Sequence, residues 1–314
     1  MTKFVLKSIL IITPVILVIL LMELLFQNIP NDYKYKKEYL DSNSNQIETL
    51  ILGSSHSYNG IDPIYFSKNT FNTAYSAQHT YFDFEILKKY QDNFKKLKCV
   101  ILSVTPVQLY TKRIKEISVR TNTLKYNIYY DITTNNSIYN HSECLNKIFQ
   151  LHRILNPIIK YYARGETQFT CSELGWNAKL NTVKPPIDLD AHGLYRAESH
   201  TSFAVNKDLE FEIVEYNAKI LTSIVEWCKV KNIKLLLFTP PAHESYRRNF
   251  DQVRATKAIN RFRKIASTYE KCNYENMFDN SEFTNDDYYD ADHVSKKGAI
   301  KLSKIINNIN LEIE

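Results

Sequence analysis

The sequence predicts an α/β protein: a three-layer, doubly wound parallel sheet with a long middle insertion, preceded by one transmembrane helix. Three observations predict it. Residues 8–26 are almost wholly apolar, short apolar runs alternate with helical periodicity from residue 48 onward, and that alternation lapses between about 107 and 207 before resuming. Strands alternating with helices of this length read as right-handed βαβ units around a sheet covered on both faces.

Composition removes other classes. With 314 residues, 44% hydrophobic and 24% charged, the chain is neither disordered, collagen-like nor a polytopic membrane protein. Forty basic residues against 34 acidic ones leave a net +6 that is spread along the chain without a basic run, so nucleic acid is not an expected partner. Neither a GxGxxG fingerprint nor a Walker-type loop occurs, and no cofactor is expected.

The elements follow in order. A short tail (1–7) leads into SILIITPVILVILLMELLF at 8–26, broken only by Thr13, Pro14 and Glu23. About twenty apolar residues cross a hydrocarbon core of roughly 30 Å, and soluble helices rarely stay apolar on every face for five turns. The residues after Met22 offer no small-residue cleavage site, which predicts an uncleaved anchor. Lys3 and Lys7 precede the helix and Lys34, Lys36 and Lys37 follow it, so the charge count does not decide orientation; an exported main domain is the expectation. Residues 27–47, polar and rich in Asn, Lys and Tyr, read as a connector to a domain at 48–314.

Within that domain, 49–52, 71–75, 100–104, 233–238 and 274–278 read as strands. Helical spacing marks 82–97, 209–230, 253–269 and 295–309. The stretch 107–207 carries one predicted helix, 144–163, and reads as an insertion over the carboxyl edge of the sheet. Five cysteines lack CxxC spacing, which disfavours zinc. Cys99 and Cys228 read as small buried hydrophobes, while Cys144 and Cys171 stay open to pairing in an oxidising compartment.

Ligands of parallel α/β sheets sit beyond the carboxyl ends of the strands. Gly53-Ser54-Ser55-His56-Ser57 follows the first predicted strand there, and Tyr289-Asp290-Ala291-Asp292-His293-Val294-Ser295 follows the last. A serine hydroxyl needs an adjacent base to act as a nucleophile. His293 can supply that base, and Asp290 three residues earlier can hold its other ring nitrogen. Equally, Gly-Ser-Ser is a common turn, and the acidic pair with Ser295 is what the start of a last helix favours. The conjunction of both segments at one sheet edge favours catalysis.

On these residues the chain resembles the SGNH/GDSL hydrolase superfamily, in which a serine block follows the first strand and Asp-x-x-His precedes the last helix. The resemblance implies Ser55 as nucleophile, Asp290 as acid and His293 as base. The apolar amino terminus with Leu52-Gly53-Ser54-Ser55-His56 is similar to membrane-attached bacterial members associated with acylation and deacylation of cell-surface polysaccharide. That likeness implies a glycan substrate or acceptor and a membrane-bound acyl-donor protein as a further partner.

The chain departs from the pattern in three places. Ser54 stands where an aspartate is usual, Ala77 where a glycine supplies an oxyanion N–H alongside that of Ser55, and Val104-Thr105-Pro106 where an asparagine is usual. Thr105 and Gln78 become candidate substitute donors, and His56 and His243 candidate lining residues. Trp176 and the tyrosines of the insertion can stack on sugar rings, although aromatic residues are more often core. The expected activity is that of an esterase or O-acyltransferase. The alternatives are a non-catalytic glycan-binding scaffold and a lipid-directed esterase.

Overall fold

The computed structural model describes residues 2–114, 123–134, 141–147, 150–181, 188–201 and 207–312. Its helices are α1 (Thr2–Gln27), α2 (Asp32–Asn43), α3 (Ser55–Gly60), α4 (Thr80–Tyr90), α5 (Pro106–Leu109), α6 (Thr123–Tyr130), α7 (Glu143–Lys147), α8 (His152–Arg164), α9 (Leu189–Thr201), α10 (Lys207–Val230), α11 (Glu244–Asn249), α12 (Gln252–Ala266) and α13 (Lys296–Glu312). Five strands, β1 (Thr49–Leu52), β2 (Thr70–Asn72), β3 (Cys99–Ser103), β4 (Lys234–Thr239) and β5 (Cys272–Asn276), form one sheet in the order β2-β1-β3-β4-β5, parallel throughout. The chain divides into two compact units.

The larger unit, Tyr39–Glu116 with Cys171–Glu314, holds the sheet. Side chains alternate across a pleated strand, and the register places Leu50, Val100 and Leu235 in one row and Ile51, Ile101 and Leu236 in the next. Both rows are fully buried, which is why β1, β3 and β4 read as near-continuous apolar runs. The Ile51 face packs on Ile61 and on Ala299, Leu302 and Ile306 of α13. Helices α10 and α12 lie against β4, α12 also against β5, and α4 against α10. Cutting Leu102, which has no exposed surface, back to alanine would cost about 2–5 kcal/mol.

The order 2-1-3-4-5 reverses between β1 and β3, and beyond the carboxyl ends at such a reversal is where parallel α/β sheets hold their ligands. Ser55 follows β1 and Thr105 follows β3 at that point.

The smaller unit is Met1–Glu38 with Ile117–Thr170. Helix α1 is long and apolar enough to cross a membrane. It is not a core helix: Phe4, Leu10 and Ile11 are at least 70% exposed. Its carboxyl end is tied in. Glu23 accepts the Ser142 hydroxyl at 2.6 Å and the N–H groups of Glu143 and Cys144 at 3.1 and 2.9 Å, capping α7. Phe26 packs with Cys144 and Ile154, and the buried Glu143 carboxylate is clamped between Lys125 and Lys147.

Several sequence boundaries shift. The region read as a connector contains α2, whose Tyr33, Lys36 and Leu40 are buried. Helix α4 stops at Tyr90, because Gln91-Asp92-Asn93 favours turns over helix, although Phe94 and Leu97 keep helical spacing. The single helix expected at 144–163 is two, α7 and α8, the second closed by left-handed Gly165. The stretch 107–207 is also not one body: Ile117–Thr170 falls in the smaller unit and α9 in the larger. All five cysteines are buried free thiols, so Cys144 and Cys171 are not paired.

Candidate active site

The turn after β1 is built around Gly53. Its φ of +119° is closed to residues with side chains, and a Cβ there would lie 2.3 Å from the Ser103 hydroxyl oxygen. The Gly53 N–H donates to Asp83 Oδ1 of α4 at 2.8 Å, so a fully buried carboxylate pins the turn. Ser54 ends the turn, and Ser55 becomes the first residue of α3, a position whose N–H has no helical acceptor.

The second half comes from the loop between β5 and α13. Asp290 Oδ1 accepts the backbone N–H groups of Asp292 at 3.0 Å and His293 at 2.8 Å, which curls the loop. Both Asp290 oxygens lie 3.0 Å from His293 Nδ1, fixing the ring with Nε2 turned outward. That Nε2 is 2.7 Å from Ser55 Oγ. Ser295 does cap α13, accepting the Gly298 N–H at 3.3 Å, so the loop meets the helix as well as the site.

The residues sequence reasoning missed come from α9. His192, Arg196 and His200 recur every four residues and so share one helix face. Arg196 grips Asp292 through Nε at 2.8 Å and Nη2 at 2.7 Å. His192 Nδ1 accepts the Ala291 N–H at 3.3 Å, and His200 Nδ1 shares a hydrogen bond with the Tyr246 hydroxyl at 2.8 Å. Gly193 lets α9 approach α11, since a Cβ there would sit 2.1 Å from Ser245 Oγ. The four-residue spacing was the available signal. It lay inside a stretch with no α/β rhythm.

Electrostatics separate the histidines. Burial is the largest influence on His293 and opposes its charged form, but the charge of Asp292 and the hydrogen bond and charge of Asp290 outweigh it. His293 is therefore raised above 6.5. His56, whose ring stacks on His293 at 4.7 Å, is lowered to about 3 by burial and by His293 itself. Burial lowers His200 to about 4. Asp292 is pushed up by burial, yet His293 and Arg196 hold it well below the ordinary carboxylate range. The His293 imidazole is thus disposed to gain a proton, while burial disfavours the charged form of His56 and of His200.

The other sequence-predicted residues have distinct places. Ala77 is exposed with φ +55°, and its N–H meets no acceptor among the described residues. Gln78 is turned inward, donating to Asp83 Oδ1 at 2.5 Å. The Thr105 N–H is already committed to Gln108 Oε1 at 2.6 Å. His243 is buried, its Nδ1 sharing a hydrogen bond with Ser245 Oγ at 2.7 Å and its Nε2 with Asn285 Oδ1 at 3.0 Å. His56 Nδ1 pairs with Ser54 Oγ at 3.2 Å. Trp176 is buried in the core and donates to the Asn59 carbonyl at 2.7 Å, so its ring is not free to stack on a sugar.

Among the described residues, two groups bring potential metal ligands together, His56 with Asp292 and His293, and His192 with Asp290 and Asp292. Both depend on Asp292, whose two oxygens Arg196 holds; a guanidinium in contact with that carboxylate repels a metal cation.

No protein-family model matches the chain. No curated protein matches it either. Among solved structures, it is similar to a Streptococcus pneumonia protein described only provisionally as a platelet activating factor. The two share 11% identity, with a TM-score of 0.43 and coverage of 96% of this chain and 98% of the other.

Proposed function

We propose that this chain is a membrane-anchored serine esterase or O-acyltransferase of the SGNH type, acting on a cell-envelope or capsular glycan. The observation that carries the reading is one relay of hydrogen bonds, from Asp290 through both ring nitrogens of His293 to Ser55 Oγ. In this scheme Ser55 Oγ attacks the ester carbonyl while His293 Nε2 takes its proton, and Asp290 steadies the imidazolium. The Ser55 and Ala77 N–H groups face the oxyanion. Collapse expels the alcohol, protonated by His293, and leaves acyl-Ser55. Water or a sugar hydroxyl, deprotonated by the same imidazole, then attacks the acyl group and frees Ser55.

Helix α1 serves as an uncleaved anchor with the main domain exported, and a membrane-bound acyl-donor protein is the partner in the transferase version. Retention of α1 is supported by Glu23 and Phe26, which cap α7 and fill the core of the smaller unit.

The test is fluorophosphonate labelling of the wild type and Ser55→Ala, with thermal melts to show that both fold. Labelling of the wild type alone is expected; persistent labelling of Ser55→Ala overturns the assignment. A second reading, a glycan-binding protein without turnover, is favoured by the committed Thr105 N–H, which withholds the backbone donor after β3 and leaves only the Thr105 hydroxyl there. Losing one such donor typically costs about 100- to 1000-fold in rate. Glycan binding unaffected by Ser55→Ala, with no wild-type hydrolysis of acetyl esters, selects that reading.

A further inference from the structure

Helix α8 is amphipathic in an unusual way. Its apolar arc is split between two environments within the smaller unit. Ile154 is buried against Phe26 and Cys144, with Ile158 beside it. The adjoining positions Leu151, Leu155, Ile159 and Tyr162 are 54, 41, 51 and 51% exposed. At 100° per residue these four fall within one narrow arc of the helix surface. The opposite side carries Arg153, Lys160 and Arg164, and the helix itself has no acidic residue; Glu166, just beyond it, lies 3.8 Å from Lys160 and 3.9 Å from Arg164.

The position of this face matters as much as its composition. Helix α8 packs at the carboxyl end of α1, where the Tyr162 hydroxyl donates to the Leu25 carbonyl at 3.3 Å. Twenty-five residues of α1 span about 37 Å, somewhat more than the roughly 30 Å hydrocarbon core, so Leu25 and Phe26 fall near the headgroups. An apolar stripe with a basic reverse face and interfacial tyrosines is what binds that boundary, the cations facing anionic headgroups.

We infer that the Leu151–Leu155–Ile159–Tyr162 face of α8 docks into the headgroup and acyl boundary of the bilayer beside the exit of α1. This adds a second membrane contact and rests on α1 spanning the bilayer. Tyr162 of this face reaches Leu25 of α1 beside the exposed Leu24, so the bilayer around α1 is within reach of the face.

Full-length protein in nanodiscs of phosphatidylcholine, with and without phosphatidylglycerol, tests this by spin labelling. The native cysteines are buried, which leaves introduced ones as the reactive sites. Probes at Leu155→Cys and Ile159→Cys are expected to be several-fold more accessible to oxygen relative to a water-soluble nickel complex than a probe at Asn156→Cys on the polar side. Phosphatidylglycerol should widen the contrast. Equal nickel access at all three positions overturns the docking, and exclusion of both reagents from 155 and 159 overturns it in favour of a protein cover. A Leu17→Cys probe reports α1 separately: nickel access there removes the span and the docking together. Ser55 labelling answers the catalytic question independently.

Discussion

Arg196 holds both oxygens of Asp292, and Asp292 Oδ1 lies 3.7 Å from His293 Nδ1. The imidazole thus answers to two carboxylates, Asp290 directly and Asp292 at one remove, and a guanidinium sets how much of the second charge it feels.

That relationship makes pH dependence a signed prediction. A base must be neutral to act, so activity falls as pH drops through the pKa of His293, and the midpoint of the acid limb should lie above 6.5. Asp292→Asn removes the leading charge that favours the imidazolium and should move the limb to lower pH. Arg196→Met unmasks Asp292 and should move it higher, with a stability loss of about 3–5 kcal/mol from the unpaired buried carboxylate. Profiles of kcat/KM on a model acetyl ester measure both; shifts of the same sign would refute the arrangement.

Asp290→Asn keeps an oxygen for the loop N–H groups but presents an amide to Nδ1, which favours the wrong ring tautomer. Turnover should fall by about 10³- to 10⁴-fold with little change in Tm. A comparable fall in Tm would make Asp290 chiefly a loop residue.

Asp83 should leave its mark on stability. Burial, partly offset by the Gly53 and Gln78 hydrogen bonds, raises its carboxyl to about 7 from 3.8. Between those values the unfolded chain releases the proton and the folded chain keeps it, so stability drops as pH rises through that window. Asp83→Asn should remove roughly 2–4 kcal/mol of that pH-dependent loss. Urea melts at both ends of the window compare the two proteins, and identical slopes would argue against a buried, protonatable Asp83.

Gly193→Ala sets helix propensity against space. Alanine gains up to about 1 kcal/mol in a helix, but the new Cβ would stand 2.6 Å from the Ser245 backbone carbonyl carbon. Overpacking of about 1–3 kcal/mol should win. As α9 is displaced, the acid limb should move in the same direction as in Arg196→Met. An unchanged limb would uncouple α9 from the site.

Much of this was legible for a physical reason. Buried parallel strands are near-continuously apolar, so residues 49–52, 100–104 and 233–238 announce themselves, and the residues after such runs lie at one edge. The proximity of Ser55 and His293 follows from that rule. Arg196 was hidden because a helix at a crevice needs contact with a loop and with α11, not an apolar face against the sheet. Helix α2 was hidden because its buried surface is carried by Tyr33, Lys36 and Leu40, which read as polar connector in a Lys- and Tyr-rich run. Trp176 shows the opposite case: aromatic residues are more often core than sugar platforms, and its ring is indeed buried, though an aromatic in an irregular stretch does not itself show which way it faces.

The placement of Arg196 on α9 has a practical side. Ser55, His293 and Asp290 all sit on the α/β framework, whereas Arg196, which sets the charge that His293 feels, sits on a helix from outside the repeating pattern. An engineer could retune the working acidity of the site by editing that helix, leaving every proton-carrying atom where it stands.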